Sequence, residues 1–221
     1  MSSLRKTSLV AGVFYLLTFV SIPTLGLYSS VRGPNYILGP GPDTPVILGG
    51  FLEMIVALAG IGTAITLYPV LKRQNEGFAL GFVGSRILEA ATIYVGIVSL
   101  LSVVTLRQTG AGAGALATGQ ALTAQYYWTF LFGQSFIPAV NAVLLGSLLY
   151  QSRMVPRALP MLGFIGAALL VAAWTGTLTG LLGRVSTKSA LFALPIALWE
   201  FSLGIYLVVK GFKPSPITAG M

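Results

Sequence analysis

Six apolar stretches run through this chain, at roughly 8–28, 46–69, 79–105, 124–150, 158–182 and 189–210. Each reaches the ~20 residues that an α-helix needs to cross the hydrocarbon of a bilayer. Lipid offers no water to backbone N–H and C=O groups, so a crossing segment must satisfy them internally, as a helix does. Only 8% of the 221 residues are charged, against about 25% in a soluble domain. So few charges cannot cover a water-facing surface. The expectation is an all-α integral membrane protein with six transmembrane helices in one domain, residues 1–213, and a disordered tail, 214–221.

The first stretch follows Arg5 and Lys6, as a signal peptide would follow its basic n-region. It is longer than the ~7–15 residues of a signal h-region, and no small-x-small cleavage site follows it. A retained first helix is expected. "SSVRGPNYILGPGPDTP" (29–45) is rich in Gly and Pro and is expected to be an irregular connection. "QTGAGAGALATGQ" (108–120) is low in complexity and reads as a flexible loop.

Arg5, Lys6, Lys72, Arg73, Arg153, Arg157, Lys210 and Lys213 would lie on one side of the membrane, and Arg32, Arg107, Arg184 and Lys188 on the other. The excess on the first side predicts cytoplasmic termini. Tyr68, Tyr150 and Tyr206 precede basic clusters as inner-interface anchors; Tyr126, Tyr127 and Trp128 would mark the outer interface. The net charge of +8 sits at the ends of the apolar stretches. That placement suits anionic lipid headgroups and offers nucleic acid no basic stripe. Shifted by 82 residues, "LYPVLKRQNEGFALGFVGSRILEAA" (67–91) falls on "LYQSRMVPRALPMLGFIGAALLVAA" (149–173) without a gap. The shared Leu-Tyr pair and LGF-x-G frame suggest a parallel helix-hairpin repeat.

The chain has no Cys and no His. Disulfides, thiolate nucleophiles, Cys/His zinc sites and His-ligated haem are therefore excluded. There is no GxxxxGK[ST] loop, and Asp43 is the sole Asp, so no Asp pair suits Mg²⁺–diphosphate chemistry. No metal and no cofactor is expected.

Function should then show in the four charges inside the helices: Glu53, Arg86, Glu89 and Glu200. Each costs about 2.5–3.5 kcal/mol at a helix centre, so four unpaired central ones cost roughly 10–14 kcal/mol. They should be paired, neutralised or turned into the bundle. Helical side chains lean toward the helix N-terminus, which tips Glu89 onto Arg86, its i−3 neighbour. Arg86 lies roughly 10 Å deep by helical rise, within partial snorkelling reach of the surface. A packing ion pair competes here with a site for an anionic or proton-carrying substrate. For Glu53, snorkelling to the outer surface competes with function. Glu200, near mid-membrane beside Trp199, needs an Arg partner, a bound proton or a polar cavity. Asn141 follows Pro138, which frees a backbone carbonyl and favours a kink; Gln134, Ser135 and Asn141 could share the pocket or make interhelical hydrogen bonds. Arg153 and Arg157 in "SRMVPR" could grip a lipid phosphate or serve as a topology signal.

"LYPVLKRQNEGFALGFVGSRILEA", "LLYQSRMVPRALPMLGFIG" and "ALWEFSLGIYLVVKGFK" resemble the bacterial membrane family called Domain of Unknown Function 4386, over about residues 5 to 213. The resemblance implies a six-helix, multi-pass protein of the bacterial inner (plasma) membrane. It implies no activity or catalytic residues; Arg86, Glu89, Arg153, Pro156, Arg157 and Glu200 look like positions of its pattern. The leading functional expectation is binding or transport of a small molecule or proton through an intramembrane polar pocket, without enzymatic activity. The alternatives are an intramembrane enzyme acting on a lipid or isoprenoid, with a Glu as general acid/base, and an accessory or structural subunit.

Overall fold

A computed structural model describes residues 2–33, 35–183 and 187–219, except the side chain of Thr187. The described residues are helical, with turns and no strand. Six helices are long and apolar enough to cross a membrane: α1 (Ser3–Leu27), α2 (Thr44–Leu71), α3 (Glu76–Gln108), α4 (Ala113–Ser152), α5 (Ala158–Leu178) and α6 (Lys188–Val209). Each packs against the next in sequence, and α6 closes on α1, so the bundle is a ring. The start of α1 and the end of α6 share one end of it. There the Arg5 guanidinium donates to the carbonyls of Leu207, at 2.8 Å, and Val208, satisfying acceptors that the end of α6 leaves open. Arg184 lies outside the described residues.

The largest core cluster draws on all six helices and fills the half nearer the termini; Tyr15, Leu67, Phe82, Leu145, Leu170 and Trp199 are among its members. Trp199 reaches the centre because Gly163 on α5 faces it, where an added Cβ would stand 2.8 Å from the indole ring. A second cluster, around Tyr28, Tyr36, Leu100 and Tyr126, fills the opposite end. Large apolar side chains such as Phe51, Ile65, Val98 and Leu198 are exposed on the ring's outside, as a lipid-facing surface requires.

Local chemistry sets several boundaries. Asn75 begins α3 by accepting a hydrogen bond from Phe78 N at 3.0 Å, an N-cap interaction. Two helices carry interruptions close to a proline. In α1 the α-helix gives way to a 3₁₀ turn, Thr18–Ser21, followed by Pro23. In α4 a π-helical turn, Leu131–Phe136, precedes Pro138, whose missing N–H leaves the Gln134 carbonyl without its usual partner. Pro195 lies inside α6. The hydroxyls of Thr18 and Thr24 donate to the carbonyls of Tyr15 and Ser21, both at 2.7 Å. Such side-chain bonds make irregular backbone tolerable at membrane depth.

Two expectations from sequence are corrected. The 108–120 stretch is helical from Leu116 onward: it contains the good helix formers Leu116, Ala117 and Gln120, and it packs under Tyr36 and Ile37 of the 29–45 connection. The expected tail disorder does not hold over 214–219. Ser215 and Thr218 form a capping box around a 3₁₀ turn, Ser215 Oγ donates to Ser152 O at 2.6 Å, and Ile217 packs on the core. The partner is the turn after α4, where Met154 and Val155 are buried. Residues 220–221 lie outside the described residues.

Candidate functional site

Arg86 and Glu89 sit one helical turn apart on α3, with side chains aimed into the ring. Arg86 Nη1 bonds Glu89 Oε2 at 2.9 Å, the i,i+3 pair that the spacing predicts. Arg86 does not snorkel; it is 3% exposed. Its second amino group reaches across the bundle to Glu200 Oε1 on α6 at 2.8 Å and to the Tyr15 hydroxyl on α1 at 3.4 Å. The guanidinium also lies over the rings of Tyr15 and Phe82, 5.5 and 5.6 Å from their centroids, within cation–π range. Asn141 on α4, fully buried, donates to Glu89 Oε2 at 2.7 Å. Four helices thus meet on one guanidinium and two carboxylates.

The charges do not balance. With both carboxylates ionised, the cluster keeps one negative charge that no other described side chain neutralises. Its hydrogen bonding is incomplete as well: Arg86 Nε and Asn141 Oδ1 are buried and have no partner among the described residues. Buried polar networks that serve packing alone are normally satisfied. Beside the cluster lies a cavity of about 220 Å³, bounded by Thr18, Ser21, Glu89, Gln134, Pro138 and Glu200, among others. The 3₁₀ turn of α1 and the π turn of α4 both contribute to its wall.

Glu53 on α2 occupies a separate niche. It is 1% exposed, so of the two alternatives it does not take the escape to the surface. Tyr28 Oη donates to Oε2 at 3.1 Å, and Tyr126 Oη and Gln134 Nε2 donate to Oε1, each at 3.4 Å. Tyr28 fits there because Gly49 presents no Cβ to its ring. Tyr126 is not the interface anchor expected from sequence; it is 5% exposed and turned inward, edge-on to Tyr28. Gln134 serves both regions, bonding Glu53 and lining the cavity beside Glu89 and Glu200. Ser135 lines a neighbouring apolar groove instead.

Sequence reasoning named Arg86, Glu89, Glu200 and Asn141, and the fold brings those four together. It missed Tyr15, Tyr28 and the inward role of Tyr126. A usable signal existed for Tyr15: membrane tyrosines gather at interfaces, and this one lies well inside α1. Arg153 and Arg157 are exposed at the termini end. Arg153 ends the helical run of α4 with a left-handed φ of 56°, and the Arg157 guanidinium stacks 4.7 Å from the centre of the Tyr150 ring. Among the described residues no group of three or more acidic side chains could hold a metal ion.

A family model described as "Domain of unknown function (DUF4386)" matches residues 10–211. No curated protein and no solved structure matches the chain.

Proposed function

The chain belongs to the family described as Domain of unknown function (DUF4386), whose description carries no activity, and from the site itself we propose that the protein binds a proton or other monovalent cation inside the membrane and passes it across. One observation carries this reading: a single guanidinium is shared by two carboxylates from different helices beside a cavity. The surplus negative charge is a binding site for one positive charge. The two helix interruptions, in α1 and α4, support movement, since each departs from the i→i−4 ladder in the wall of the cavity. An anionic substrate fits poorly, because Arg86 is already held by Glu89 and Glu200. The unpartnered Arg86 Nε and Asn141 Oδ1 weigh against a purely structural pair.

In this reading the termini are cytoplasmic and the membrane is the bacterial inner membrane, as the distribution of Lys and Arg supports. Arg153 and Arg157 meet lipid phosphates at the cytoplasmic surface.

The test is proton movement into liposomes that hold the purified protein and a trapped pH-sensitive dye. Wild type is expected to dissipate an imposed pH gradient at least tenfold faster than Glu200→Gln, with both variants inserted at equal density. Equal rates would overturn the reading.

A further inference from the structure

A proton alone leaves one feature of the site unexplained. Next to the polar cavity lies an apolar groove of about 420 Å³. Ile22, Gln134, Ala193 and Ala197 line both spaces, so the two share a wall. Leu131, Leu170 and Trp174 are among the residues of the groove, and among the described residues no charged side chain lines it. Trp174 is held in place by Phe136, centroid to centroid 4.8 Å, and by Phe132 at 5.7 Å. The arrangement is a negative pole joined to an apolar, aromatic-walled pocket.

We propose that the ligand of this site is a lipophilic organic monocation, a protonated or quaternary amine or a phosphonium, with its charge against the carboxylate oxygens of Glu89 and Glu200 that Arg86 does not hold and its apolar body in the groove. The inference rests on the proton- and cation-carrying reading and names its substrate class. Size supports it: the polar cavity alone is below the ~300–1,000 Å³ typical of small-molecule sites, and the groove brings the whole into that range. Charge complementarity supports it too, since Glu89 and Glu200 line the cavity that shares a wall with the groove. Aromatic faces favour organic cations, whose weakly hydrated charge is cheaper to bring into a low-dielectric site than an inorganic one.

Cation and proton compete for the same carboxylates. The titratable groups that face the site are Tyr15 from α1, Arg86 and Glu89 from α3 and Glu200 from α6, with Glu53 of α2 reached through Gln134. The neighbouring residues of α4 and α5, Gln134, Asn141 and Trp174, carry no charge. Acidification is therefore expected to weaken binding of the organic cation.

The experiment is equilibrium dialysis of the full-length protein in neutral detergent against tetraphenylphosphonium. Two comparators separate the parts of the ligand: tetramethylammonium has the charge without the body, and tetraphenylborate has the body with the opposite charge. Saturable binding of one tetraphenylphosphonium per chain is expected, undisturbed by tenfold excess of tetramethylammonium; tetraphenylborate, dialysed on its own because it precipitates with tetraphenylphosphonium, is expected to show no saturable binding. Glu200→Gln and Ala197→Leu should each weaken it at least tenfold, the first by removing charge and the second by filling the shared wall. Where Ala197→Leu fails to fold, Ala193→Leu replaces it. Unsaturable uptake, equal affinity in Glu200→Gln, or saturable binding of tetraphenylborate alone with similar affinity would overturn the proposal. Absent binding together with a proton flux that depends on Glu200 removes the substrate class and leaves the proton reading standing. Binding without proton flux does the reverse.

Discussion

Glu200 and Glu53 are the same residue type, both withdrawn from the surface of one helical ring, yet their surroundings have opposite character. Glu200 faces a cation, Arg86, which it shares with Glu89. Glu53 faces only neutral donors, two tyrosine hydroxyls and one amide. The first arrangement couples α3 to α6 through charge and leaves a negative excess beside a cavity. The second seals a carboxylate between α2 and α4 with hydrogen bonds and no described cation. A buried carboxylate is thus not by itself a site. What distinguishes the cluster around Arg86 is imbalance next to space, whereas the niche around Glu53 is enclosed and its donors are accounted for.

The largest effect should come from removing the cation. Arg86→Met strands two carboxylates in the bundle, and breaking a buried pair in this way typically costs about 3–5 kcal/mol. A thermal melt in detergent should show a large fall in stability. Adding Glu89→Gln and Glu200→Gln should restore most of it, because the triple variant leaves no charge in this cluster. An Arg86→Met protein as stable as wild type would break the comparison, since Arg86 would then be no more necessary to its carboxylates than any cation is to Glu53.

The two regions also differ in how far the sequence revealed them. The six crossings were legible because bilayer thickness fixes their length, and the resemblance drawn from "GFVGSRILEA" and "ALWEF" led to the family that the match over 10–211 shows. Arg86 with Glu89 was legible because one helical turn separates them. The partner of Glu200 was legible only as a requirement: depth ruled out easy snorkelling, but no spacing says that α6 faces α3. For Glu53 depth alone left snorkelling and function open, since its donors come from 25, 73 and 81 residues away. The onset of helix at Leu116 was hidden by neighbouring glycines, whose effect is overridden by packing against residues 36–37. Long-range pairing and packing are the parts that local periodicity does not carry.

A middle-sized effect tests the neutral cage. Tyr28→Phe removes the 3.1 Å hydrogen bond to Glu53 Oε2 and should cost about 1–3 kcal/mol, because the acceptor stays buried. Tyr126→Phe should cost less, its bond being longer at 3.4 Å. Glu53→Gln should be milder than Tyr28→Phe, because the amide oxygen still accepts. In the liposome assay Glu53→Gln should keep at least half of the wild-type proton flux, in contrast to Glu200→Gln. A Glu53→Gln protein as inactive as Glu200→Gln would make Gln134 a bridge between two working carboxylates and dissolve the distinction.

The smallest effect belongs to a third acid, and it sharpens the comparison by lying outside the crossings. Asp43 precedes α2 and pairs with Arg107 at the far end of α3, while Tyr36 Oη donates to it at 2.5 Å and Gln108 Nε2 at 3.0 Å. The Arg107 hydrogen bond is the main reason that the Asp43 carboxyl is held down to about 2, against burial, which acts the other way; Tyr36 and Gln108 reinforce the lowering. A carboxyl lowered on folding stabilises the fold where it is ionised. That contribution is complete above the ordinary carboxylate value near 3.8 and fades as pH falls toward about 2. Asp43→Asn should therefore melt slightly below wild type by a margin that is constant from neutral pH down to about pH 5 and closes in stronger acid. High salt should shrink the margin, because the half-buried pair lies at the end of the bundle, outside the crossings, where salt reaches it. The same salt should leave the Arg86→Met deficit nearly intact, since buried charges are screened much less. Equal sensitivity of both deficits to salt would mean that Arg86 and its carboxylates are wet like Asp43 and Arg107.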